Sequence, residues 1–171
     1  MPECSSMCRW FAIRTRSQCE KLAEAVLRNK GYEPFLPLYR LERRWSDRIR
    51  KMDVPLFPSY VFCRFNVDFR LPILTMPSVV EIVGTGGTPV PIDDTEIAAL
   101  QTLVESGLSV QPRSFLEAGK RVSVVAGPLR GLEGILLHSS NSDRLVVSIT
   151  LLRRSVAAEI DRRWVVPATA A

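Results

Sequence analysis

The chain has 171 residues, 46% of them hydrophobic, with 23 Lys/Arg against 18 Asp/Glu and a formal net charge of +5. That length suits one domain or two small ones, and the apolar share is that of a globular chain, which argues against a disordered or membrane-spanning protein. No apolar run reaches the roughly 18 residues a spanning helix needs, and Met1 to Arg9 lacks the apolar core of a secretory signal, so a cytoplasmic address is expected.

In that compartment Cys4, Cys8, Cys19 and Cys63 are expected to be free thiols. They form no Cys-x-x-Cys pair, and His138 is the only histidine, far from all of them, so no metal site is expected. With one histidine no Ser or Cys triad can be assembled, and no GxxxxGK[ST] stretch exists to hold a nucleotide. Neither an enzyme nor a cofactor is expected. The charge is uneven. Arg9 to Val54 carries 12 Lys/Arg against 6 Asp/Glu, Pro55 to Ala118 carries 3 against 7, and Gly119 to Ala171 carries 8 against 4. Two basic segments around an acidic one point to nucleic acid near both ends, with a solvated charged surface as the plainer alternative.

Residues 1–8 are expected to be a disordered tail. Arg9 to Thr15 reads as a strand with Trp10, Ala12 and Arg14 on one face. Ser17 and Glu20 form a capping box that opens a helix of about 13 residues. Its apolar stripe runs through Cys19, Leu22, Ala23, Val26 and Leu27, and Gly31 ends it. Glu33 to Leu41 alternates and holds Pro34 and Pro37, so it predicts a strand at an edge or with an irregular start. From Arg40 to Lys51 six of twelve residues are cationic and one is Trp45, in the expected shape of a hairpin tip. Arg43, Arg44, Arg48, Arg50 and Lys51, with Arg14 and Arg16, are the candidate nucleic-acid contacts. Glu42 and Asp47 interrupt the run, and a solvated connector is the alternative.

Tyr60 to Phe65 follows a Pro-rich approach and is aromatic and β-branched, which predicts a strand. Val61, Cys63 and Phe65 share one face, suited to helices beneath. Tyr60, Phe62 and Arg64 share the other, suited to an outer layer or a partner. Leu71 to Leu74 predicts a short helix with Pro72 in its first turn, and Ser78 to Gly84 another strand. A second capping box, Asp93 with Glu96, and a staple from Ile92 to Ile97 open a helix through Leu100, Leu103 and Val104 that ends at Gly107. This order predicts an α+β domain over 9–106, an antiparallel sheet with helices mainly on one face and the other face open. Residues 107–118 lack periodicity and read as a linker. Beyond it, β-branched runs at Val122–Ala126, Gly134–His138, Leu145–Leu152 and Ser155–Ile160 predict a small SH3-like β-barrel over 119–168, because short strands bury a core only by curling. Val146, Val147, Ile149 and Thr150 favour strand over helix there.

The series Gly119, Val122, Val124, Gly127, Gly131 and Gly134 resembles the KOW motif of ribosomal and transcription proteins. Trp10, Phe57-Pro58-Ser59-Tyr60-Val61-Phe62, Pro77-Ser78-Val79 and Ile82-Val83-Gly84 resemble the N-terminal domain of the NusG family of transcription elongation and antitermination factors. The likeness spans about residues 9 to 168. Pro55-Leu56-Phe57-Pro58-x-Tyr60-x-Phe62 is more similar to specialised paralogues of the RfaH and capsule-locus kind, but the His-Thr-rich stretch of RfaH is missing, and its polymerase β-subunit contact is not carried over. The resemblance implies that the open sheet face docks RNA polymerase at the clamp helices through Trp10, Phe57, Tyr60 and Phe62. The ring of Trp10 suits the fold's own core equally well. It also implies contact with non-template DNA or nascent RNA, recruitment of Rho or a ribosomal protein by the KOW domain, and a monomer with no membrane partner. A general RNA-binding or ribosome-associated KOW module is the alternative reading.

Overall fold

A computed structural model describes residues 7–116 and 119–169. Cys4 and most of the expected tail lie outside the described residues. The chain divides into two compact units, Met1–Asp94 and Thr95–Ala171. Among the described residues no helix is long and apolar enough to cross a membrane.

The first unit runs β1 (Arg9–Thr15), α1 (Glu20–Asn29), β2 (Glu33–Phe35), β3 (Leu38–Trp45), β4 (Arg48–Pro55), β5 (Tyr60–Phe65), α2 (Leu71–Leu74), β6 (Val79–Ile82), β7 (Gly84–Thr85) and β8 (Thr88–Pro89). Its main sheet has the order β2-β5-β1-β6. The aromatic, β-branched strands β1 and β5 are central and antiparallel, with Ala12 opposite Phe62 and Arg14 opposite Tyr60. One face of that sheet is a closed core. Phe11 and Ile13 of β1 and Val61, Cys63 and Phe65 of β5 pack with Ala23 and Leu27 of α1 and Ile73 of α2. The Val61, Cys63 and Phe65 face thus lies against helices, as its small and apolar side chains suggest. Burial pushes the Cys63 thiol up to about 12, so it stays protonated and inert.

The start of α1 differs from the capping box. Gln18 takes φ +63, the helix begins only at Glu20, and Cys19 caps it without a side-chain bond. The Glu20 carboxylate crosses instead to the turn before β5, where it accepts from the Ser59 amide at 2.7 Å. Leu22, expected in the buried stripe, is 59% exposed. The expected single strand over 33–41 is two, because Leu36-Pro37 interrupts it and Leu38 onward pairs with β4 rather than β5.

The second unit holds α3 (Asp94–Glu105, all but its first residue), β9 (Val110–Ser114), β10 (Lys120–Val124), β11 (Glu133–His138), β12 (Asp143–Ile149), β13 (Arg154–Ile160) and β14 (Val165–Pro167). Six antiparallel strands follow the order β14-β10-β11-β12-β13-β9 and form a small barrel-like domain around Val122, Val124, Leu129, Leu145, Ile149 and Val156, all buried. The stretch expected as a linker over 107–118 carries β9, which pairs with β13 with Pro112 opposite Val156. Its lack of periodicity is that of an edge strand, exposed over four of its five residues, and proline is tolerated at such an edge. The helix after Asp93, read as part of the first domain, falls in the second unit. There Glu96 Oε1 accepts from the hydroxyl of Thr150 at 2.7 Å and from its amide at 3.3 Å.

Candidate functional site

The sheet face turned away from α1 and α2 carries Trp10, Ala12 and Arg14 of β1 against Arg64, Phe62 and Tyr60 of β5. Alternation along two paired strands puts these six residues together. The strand register also places Phe35 here, opposite Phe62, a member that reading β2 and β3 as one strand concealed. The rings touch. Trp10 meets Phe35 edge-on at 6.4 Å between centroids, Phe35 lies 6.2 Å from Phe62, and Phe57 stands edge-on to Phe62 at 5.4 Å.

The expectation of an open aromatic face is corrected at three of its four positions. Trp10, Phe57 and Phe62 are 6%, 1% and 0% exposed, and only Tyr60 is half-buried. Each such ring removes about 150–250 Å² from water, and edge-to-face pairs add to that gain. Trp10, Phe57 and Phe62 therefore form a platform that supports the face, and Tyr60 is its partly accessible member. Arg14 pairs with Glu81 at 3.1 Å, and Arg64 lies 4.0 Å from Glu33, so both cations on this face have carboxylate neighbours.

Tyr60 is held by the backbone before it. Ser59 has φ +67. Its amide donates to Glu20, its carbonyl accepts from the Thr15 amide at 2.8 Å, and the Tyr60 amide donates to the Phe57 carbonyl at 3.1 Å. Glu20 is 7% exposed. The role of Glu20 was hidden by its fit to a capping box.

The candidate nucleic-acid residues fall into two groups. Arg14 and Arg16 lie on and beside β1, with Arg14 already paired. Arg43, Arg44, Arg48, Arg50 and Lys51 lie on a separate two-stranded ribbon, β3 with β4. All five ribbon cations are exposed, and so is Trp45 at its tip.

In the second unit Val122 and Val124 of the KOW-like series are buried. Gly127 has φ +79, and a Cβ there would meet the Trp164 ring at 2.7 Å. Gly134 admits the Val146 carbonyl, which would lie 2.6 Å from an added Cβ. These positions shape the domain from within. A groove of about 680 Å³ opens between the first turns of α3 and strands β11 and β12, lined by Glu96, Ala99, Leu116, Ile135, Val146 and Thr150 among others.

The family model described as "Transcription termination factor nusG" matches residues 8–101. The chain is 24% identical over 168 residues to the transcription termination/antitermination protein NusG of Pseudomonas aeruginosa, covering 90% of this chain and 94% of that protein. The proteins of that name from Helicobacter pylori J99 (24% over 167 residues, 90% and 95% covered) and Escherichia coli K12 (25% over 168 residues, 90% and 92% covered) are similar to the same degree. A solved structure described as "Domain interaction in Thermotoga maritima NusG" shares the fold, with a TM-score of 0.57, 21% identity, and 95% of this chain and 98% of that one covered. The match over 8–101 takes in more than half of the 171 residues and the whole main sheet of the first unit, and the chain belongs to the NusG family.

Proposed function

We propose that this chain is a transcription termination/antitermination factor that acts on elongating RNA polymerase by binding, without chemistry. Its first unit docks the polymerase through the aromatic sheet face, with Tyr60 as contact residue and Trp10, Phe57 and Phe62 as the platform that positions it. The β3–β4 ribbon meets nucleic acid, and the KOW-like second unit recruits a further protein, Rho or a ribosomal protein. The observation that carries the reading is Tyr60 itself. It is a half-buried tyrosine on the same sheet face as the packed rings of Trp10 and Phe62, set by a strained and hydrogen-bonded turn in the part of the chain that the family match covers. Tyrosines in such settings are common anchors of protein interfaces.

The test is retention of the full chain on RNA polymerase core after nuclease treatment. Tyr60→Ala is expected to weaken binding more than tenfold, about 1.4 kcal/mol, while Tyr60→Phe keeps most of it. A smaller effect of Tyr60→Ala would remove the docking role from this face. Release of the chain together with the nucleic acid would favour a general RNA-binding module instead.

A further inference from the structure

The sheet face that carries Tyr60 is built in three rows across its strands, because residues directly opposite one another share a face. The row at one end is Tyr60, Arg14 and Glu81. The middle row is Phe35, Phe62 and Ala12, wholly apolar. The row at the other end is Glu33, Arg64 and Trp10. One guanidinium thus lies on each side of an apolar strip, and the two are answered differently. Arg14 Nε meets Glu81 Oε1 at 3.1 Å, within hydrogen-bond distance. Arg64 Nη1 stands 4.0 Å from Glu33 Oε2, too far for a hydrogen bond. Its Nε is shut away from solvent and, among the described residues, has no acceptor.

Arg64 is therefore the under-satisfied charge of this face. A guanidinium has five N–H donors and binds a carboxylate through two of them at once. The Arg64 side chain is 40% exposed, so a partner reaches its terminal nitrogens, while Trp10 and Phe62 beside it are buried and fix its surroundings. A water-exposed ion pair such as Arg64 with Glu33 is worth little. Docking takes water off the face, which raises both the cost of a half-answered cation and the gain from a carboxylate set on it. A cation or an apolar group in that place would leave Arg64 desolvated and without an acceptor. An acid is the group that this end of the face selects.

We propose that Arg64 is the specificity residue of the docking face and takes a carboxylate of the polymerase, exchanging its loose contact with Glu33 for a bidentate one. This rests on the docking reading of the same face and adds the chemistry of the partner surface. Four residues along one strand separate Arg64 from Tyr60, so the acid lies about 13 Å from the group that meets Tyr60. Glu33 competes for the same guanidinium, so the two residues of the pair act on binding with opposite sign.

The affinity of the labelled full chain for nuclease-treated RNA polymerase core, read by fluorescence anisotropy across a salt titration, tests this. Arg64→Gln is expected to weaken binding about tenfold and to flatten its salt dependence. Arg64→Lys should keep part of the affinity, and Arg64→Glu should lose more than Arg64→Gln. Glu33→Gln is expected to bind about twofold tighter. If the pair merely supported the sheet, Glu33→Gln would weaken binding as Arg64→Gln does, and that outcome overturns the proposal. So does Arg64→Gln staying within about twofold of wild type while Tyr60→Ala still weakens binding. A loss from Arg64→Gln seen only on polymerase that keeps its nucleic acid assigns the residue to a phosphate and overturns the proposal too. If neither Tyr60→Ala nor Arg64→Gln weakens binding, the docking reading of the face itself falls.

Discussion

Ser59 occupies a conformation that costs a non-glycine residue about 1–2 kcal/mol, at φ +67, one residue before the proposed polymerase contact. It is held by two hydrogen bonds, one to the Glu20 carboxylate and one from the Thr15 amide. Replacing Ser59 by Gly relieves the strain, and stability in urea is expected to rise by about 1 kcal/mol. Glu20→Ala leaves the part-buried Ser59 amide without its acceptor and is expected to cost about 2 kcal/mol. A decrease under about 0.5 kcal/mol on urea unfolding would show that the carboxylate is dispensable to the turn. The strain persists because Ser59 delivers Tyr60 into register opposite Arg14.

Among the elements, β11 depends on a missing side chain. Gly134 faces the Val146 carbonyl and the Leu145 side chain of β12 so closely that a Cβ would lie 2.6 Å and 2.9 Å from them. Gly134→Ala must push the two strands apart or bend one, and is expected to destabilise the second unit by about 2 kcal/mol. Thermal unfolding reads this as a lowered Tm, and an unchanged Tm would mean that the strands give way freely. The neighbouring β12 and β13 are strands through Leu145 to Ile149 and Arg154 to Ile160. Their β-branched residues, a poor helix composition, pack Val146, Val147 and Val156 into buried positions. The β3–β4 ribbon is of another kind, with Trp45, Ile49 and Met52 exposed along it.

For the whole molecule, the consequence is where the second unit begins. Because β9 closes the β13 edge and Glu96 of α3 holds Thr150, a fragment Asp93–Ala171 is expected to unfold cooperatively. A fragment beginning at Gly119 uncovers the β13 edge, leaving Ala157 and Ala158 without Gln111 and Val110 opposite them, and is expected to melt at lower temperature or aggregate. Circular dichroism of the two fragments decides it. Equal melting temperatures would return residues 107–118 to the status of a linker.

Much of the architecture was legible from local chemistry. The two-residue period of Tyr60 to Phe65 set which side chains meet α1 and α2, because alternation in a strand is a property of the backbone itself. The β-branched runs after Gly119 implied strands, and the cation-rich stretch from Arg40 to Lys51 implied an exposed hairpin, since so many like charges resist burial. Local pattern could not assign Glu20 to Ser59, 39 residues away, because its spacing from Ser17 satisfies a capping box equally well. Nor could it find β9, whose Val110-Gln-Pro-Arg-Ser becomes a strand only through pairing with β13. The accessibility of Trp10, Phe57 and Phe62 was likewise a tertiary matter, since an aromatic strand face is equally suited to a partner and to its neighbours' rings. So was the pairing of the ribbon's cations, Arg40 opposite Asp53 and Lys51 opposite Glu42 but Arg43 opposite Arg50, because composition counts charges while only the cross-strand register decides which of them sit opposite an acid.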